Sequence, residues 1–93
     1  MLVTVTTTNK KLVDILSTAQ KNQIDKENYQ CKNILIQNLG AQDIYIEHRA
    51  DADTSSGLKI AQGEALPIEE VNLEDINLIA DSADNTDVRV IIN

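Results

Sequence analysis

Residues 51–62, DADTSSGLKIAQ, place oxygen-bearing side chains at alternate positions just ahead of a glycine. Calcium loops use that spacing: oxygen ligands at the first, third and fifth positions, glycine at the sixth and a bidentate glutamate at the twelfth. Asp51, Asp53 and Ser55 meet the first three requirements, but Ser56 stands where the glycine belongs, Gly57 comes one residue late and Gln62 replaces the glutamate. Neither flank has helical periodicity. The stretch therefore reads as a solvated turn, with Asp51 and Asp53 left as a weak cation site at best, and no resident metal is expected.

The remaining chemistry-bearing residues are scattered. His48 is the single histidine and shares a strand face with Ile44 and Ile46, so a satisfied or half-buried imidazole is expected rather than a base or ligand. Ser55 and Ser56 sit on a polar turn without the strained strand-to-helix elbow that activates a serine nucleophile. Glu69-Glu70 and Glu74-Asp75 border turns, where paired carboxylates make a solvated acidic surface unless they flank a cleft. Gly40, Gly57 and Gly63 occur singly between strands, so no loop is built to cradle a phosphate. Cys31, alone at the head of an apolar run, supplies neither a disulfide nor a thiolate set for zinc, and a small buried side chain is expected. No catalytic residues and no cofactor follow from these patterns, and the expectation is a protein that is not an enzyme.

Charge and composition narrow the partners. The formal net charge is −7 and the eight Lys and Arg residues form no cluster, so nucleic acid is not an expected ligand. No apolar run reaches the roughly eighteen residues of a membrane helix, and MLVTVTTTNKK lacks the basic-then-apolar order of a signal peptide. A soluble protein made in the cytoplasm and free of the membrane is expected. Ninety-three residues with two tyrosines and no Trp or Phe must build one core from Ile, Leu, Val and Ala, and such a domain gains stability from a partner subunit.

The elements that would position these residues follow from periodicity. Leu2 to Thr7 alternates as a strand, with Val3 and Val5 on one face and Leu2, Thr4 and Thr6 on the other. From Lys10 to Ala19, Leu12, Ile15, Leu16 and Ala19 form one helical stripe, and the polar run Gln20 to Gln30 reads as a loop. Strands are then expected at Lys32–Asn38, Asp43–Arg49, Leu58–Ile60, Ala65–Ile68, Ile76–Ala80 and Asp87–Ile92, separated by turn chemistry. The first two of these are expected to pair as a hairpin across the glycine-containing turn at Asn38–Gln42. Pro67 confines its strand to a sheet edge or end. The fold class is mainly β: a small antiparallel β-sandwich of about seven short strands with one short N-terminal α-helix. A single domain spans 1–93, with strand, helix and polar loop in 1–30 and the strand-rich core in 31–93.

The order VTTTNKKLVDIL, NILIQNLGAQDIYI, GLKIAQGEALPIE and LEDINLIADSADNTDVRVI resembles a class of small virion proteins of tailed bacteriophages. The matches are Asn38, Gly40, Ile44, Tyr45 and Ile46, then Gly57, Ile60, Gly63, Glu64 and Leu66, then Ile79, Ala80, Asp81 and Asp87 to Val90. They cover nearly the whole chain, and all are residues that form turns and strands rather than a site. The resemblance implies a β-sandwich carried in many copies on the particle, in particular a decoration or cement protein on the outer capsid. The major capsid protein would be its partner and a homo-oligomer, a trimer in particular, its assembly state, with contact through the edge residues Leu2, Val3, Thr4, Val5, Thr6 and Thr7. A head-to-tail connector, neck or tail component, or a receptor- or carbohydrate-binding module, is the alternative; for the last, only Tyr29 and Tyr45 could stack on a sugar ring.

Overall fold

The computed structural model describes residues 1–24, 29–81 and 84–92. Among these residues the chain runs β1 (Leu2–Val5), β2 (Lys10–Lys11), α1 (Leu12–Ile15), α2 (Thr18–Asn22), β3 (Gln30–Asn38) and β4 (Ile44–His48). It continues through β5 (Leu58–Ile60), β6 (Ala65–Asn72), a 3-10 turn (Leu73–Asp75), β7 (Ile76–Ala80) and β8 (Thr86–Ile92). The strands make two four-stranded antiparallel sheets, ordered β1-β8-β3-β6 and β2-β7-β4-β5. The mainly β, sandwich-like architecture expected from alternation is the one observed, with eight strands because Lys10-Lys11 adds a short one.

Alternation decides what each sheet turns inward. Val3, Val5, Ile34, Ile36, Val88 and Val90 from the first sheet meet Ile44, Ile46, Ile60, Leu78 and Ala80 from the second, and all are buried. Leu12, Val13 and Leu16 join this core, with α1 seated against β1, β7 and the 3-10 turn, whose Leu73 is also buried. Cys31 is buried as expected. The last strand, β8, lies in the middle of its sheet between β1 and β3.

Two expectations need correction. The single helix over Lys10 to Ala19 is instead a two-residue strand and two short helices. Lys10 and Lys11 pair with Leu78 and Asn77, and Leu16 is extended at φ −68° and ψ 137°. Ser17 then opens α2 with a capping box, accepting from the Gln20 N–H while the Gln20 side chain accepts from the Ser17 N–H. That reciprocal cap is a strong local start signal, and it outweighs continuation of the stripe. Val13 is buried in place of Ala19, which is exposed. The polar run read as a loop begins helical, at Gln20 to Asn22, while its residues 25–28 lie outside the described residues.

β3 and β4 do not pair with each other. β3 lies between β8 and β6, and β4 between β7 and β5, so residues 39–43 arch from one sheet to the other. The arch is held by Asn38, fully buried at the end of β3. Its amide donates to the carbonyls of Gln42 at 2.6 Å and Ile60 at 2.9 Å, and its side-chain oxygen accepts from the Gly40 N–H at 3.1 Å and the Thr86 hydroxyl at 3.2 Å. A buried amide must find such partners, and these four draw the arch, β5 and β8 onto one side chain. A Cβ at Gly40 would overlap the Thr86 hydroxyl, so the turn glycine serves close approach rather than a hairpin.

The β3–β6 pair changes face along its length. Ile34 and Ile36 face inward opposite Ile68 and Leu66, yet at the far end Cys31 and Val71 are the buried pair. Both strands change face across Lys32 and Glu70, and Glu70 takes φ 50°. That left-handed conformation costs about 1–2 kcal/mol for a residue with a Cβ, and strict alternation along the strand does not anticipate it.

Candidate functional site

The stretch with calcium-like spacing folds onto itself. Asp53 turns its carboxylate back, accepting at 2.8 Å from the Ser55 N–H, the Ser55 hydroxyl and the Ser56 N–H, while its carbonyl accepts from the Gly57 N–H. These hydrogen bonds, the Ser55 hydroxyl first, lower its pKa from 3.8 to about 2. Asp51 accepts from the Asn9 amide at 3.2 Å, and the Asn9 side-chain oxygen accepts from the Ala52 N–H at 2.7 Å. Both carboxylates thus hydrogen-bond to the turn or to the segment beside it. Among the described residues, no group of three or more His, Cys, Asp or Glu side chains is placed to hold a metal ion.

His48 lies at the end of β4 and is exposed rather than half-buried, with Nε2 3.8 Å from Asp75 Oδ2. Asp75 is held more closely by Arg49, whose Nε lies 3.2 Å from the same oxygen and whose N–H donates to the Asp75 carbonyl at 2.7 Å. Ser55 spends its hydroxyl on Asp53, so the serines and the histidine do not form a nucleophile–base pair. Tyr45 faces outward between Ile79 and Lys59, whereas Tyr29 packs partly on the core ahead of β3. The two rings do not make one stacking platform.

The residues expected to touch a partner divide into three groups. β1 is an edge strand. Met1 and Val90 exchange hydrogen bonds in both directions, at 2.7 and 2.8 Å. The alternation of an antiparallel ladder then turns the backbone groups of Leu2 and Thr4 away from β8. Val3 and Val5 instead bury their side chains in the core. Thr6 and Thr7 leave the edge, since the Thr6 carbonyl accepts from Ala80 of the other sheet at 2.8 Å.

Two features near this edge were not read from the sequence. The Gln20 amide donates to the Leu2 carbonyl at 2.6 Å, so α2 covers one outward group of β1. On the outer face of the same sheet, Ile91, Leu35 and Pro67 stand side by side across three strands, and Leu2 projects from the neighbouring row opposite Arg89. Leu2 is 60% and Ile91 50% exposed. Aliphatic residues in the outward phase of both strands were the available signal, but the row exists only once the strand register is known. The chain matches no protein-family model, no curated protein and no solved structure.

Proposed function

We propose that this chain is a virion structural protein of the decoration or cement type, made in the host cytoplasm, whose work is binding rather than catalysis. The support for the virion setting is the order of turn and strand motifs along the sequence. The support for the mode of attachment is the β1 edge, where Leu2 and Thr4 turn backbone groups outward; this observation carries the reading. An open antiparallel edge accepts a strand from another chain through main-chain hydrogen bonds, and the major capsid protein is the proposed source of that strand.

The aliphatic row Ile91, Leu35 and Pro67, with Leu2 beside it, supports self-association, for which a trimer is the proposed state. Closed symmetry repeats each capsid contact around the axis, and weak contacts multiplied this way bind tightly. The same edge and face also suit a neck or tail component. Copy number separates the two: quantitative mass spectrometry of purified particles gives a ratio near that of the shell subunit for a decoration protein. A ratio lower by one or two orders moves the protein to the neck or tail, and its absence from particles contradicts the virion reading.

A further inference from the structure

We propose that the cleft between β5 and β6 is a binding site for a small amphiphile with an aliphatic body and a cationic head group. This site is independent of the attachment through β1, which lies at the opposite edge of its sheet from β6. The cleft measures about 390 Å³, within the roughly 300–1,000 Å³ of small-molecule sites. Its walls are Ile46, Leu58, Leu66, Ile68, Val71 and Ile76.

The cleft exists because the sandwich is unevenly closed. β5 has three residues and β6 has eight, and a four-residue turn, Ala61 to Glu64, joins them. Leu58 pairs with Ile46, which points into the core, so Leu58 also points between the sheets. It is nevertheless 56% exposed. Leu66 and Ile68 on the facing strand are likewise inward and only half-buried. Inward-facing aliphatic side chains left in contact with water favour an apolar occupant.

The rim fixes the charge of that occupant. Glu69 and Glu70 both line the cleft. The alternation of a regular strand is broken between inward Ile68 and buried Val71, where Glu70 takes φ 50°, and this is the stretch of β6 at the rim of the cleft. Among the described residues, His48 is the other polar one in the lining, and neither Lys nor Arg contributes. Two glutamates at the rim of an otherwise apolar cleft favour an ammonium group over a carboxylate or phosphate. A peptide laid along β6 fits less well, because Pro67 in the middle of that strand offers no N–H to a ladder. Recognition then falls to side chains, which suits a small molecule.

The test compares octylammonium chloride with sodium octanoate, following the Leu, Ile and Val methyl groups by NMR at neutral pH. Saturable shifts centred on Leu58, Leu66 and Ile68 with octylammonium, and none with octanoate, are expected. The double variant Glu69→Gln, Glu70→Gln should weaken octylammonium binding several-fold. Leu58→Arg, which places a cationic chain over the cleft from an exposed position, should abolish it while the remaining methyl spectrum stays folded. Equal binding of octanoate, shifts centred instead on Leu2, Leu35 and Ile91, or no saturable shift with either probe would overturn the proposal.

Discussion

The Gln20 amide donates to the Leu2 carbonyl at 2.6 Å while the oxygen of the same side chain accepts from the Ser17 N–H at 2.8 Å. One glutamine therefore starts α2 and covers an outward group of the edge strand. Gln20→Ala loses both functions. The capping loss should cost about 1 kcal/mol, read as a lower melting temperature and faster amide exchange over residues 17–22. Because the Leu2 carbonyl becomes accessible, binding to particles should tighten. Weaker binding by a folded variant would show that α2 is part of the contact rather than a cover over it.

Asn38 ties the arch, β5 and β8 together. Asn38→Ala removes four side-chain hydrogen bonds and leaves buried partners unpaired, so a loss of about 3 kcal/mol is expected. That is a large fraction of the stability of a small domain. Urea unfolding should show the midpoint falling; a change below about 1 kcal/mol would mean that the arch is held by its backbone hydrogen bonds alone.

Asp53 gives the turn a pH signature. Its folded pKa of about 2 lies below the ordinary 3.8, so it binds its proton less readily folded than unfolded. The stabilisation it contributes is complete above the ordinary value and is lost as pH falls from about 4 toward about 2. The Ser55 and Ser56 amide resonances should titrate with a midpoint near 2, and Asp53→Asn should abolish that titration. A midpoint near 4 would show the carboxylate turned out to solvent.

The aliphatic row predicts the assembly state. Ile91→Lys places a charge in the exposed row without touching the core, and should convert an oligomer to a monomer in sedimentation experiments at unchanged melting temperature of the dissociated chain. An oligomer that persists in this variant would move the self-contact away from that face.

Much of the fold was legible because Val3 and Val5, Ile44 and Ile46, and Val88 and Val90 alternate in strands with one face buried. The helix boundary was not, since Leu12, Ile15 and Leu16 fit one long stripe as well as a single turn, and Lys10-Lys11 has no apolar residue to mark it as a strand. Sheet membership was hidden for a different reason. Residues 38–42 carry the polar residues and glycine of a hairpin loop, and only the strand pairing, with Asn38 buried beneath it, reveals an arch between sheets. The candidate surfaces depend on register. Leu35 and Ile91 are far apart in sequence and become neighbours only through pairing, and the break in alternation at Glu70, where β6 meets the cleft, has no signal in the sequence.

Thr4→Pro separates attachment through the outward backbone of β1 from attachment through any other surface. Thr4 turns its N–H away from β8, so proline removes a hydrogen bond available to a partner but none from the ladder within the chain. Binding of this variant should be measured on purified particles stripped of the native protein, with melting and oligomeric state as controls. The variant should fold and assemble as the unaltered chain does but no longer bind; full binding by the variant would rule out attachment through the β1 edge.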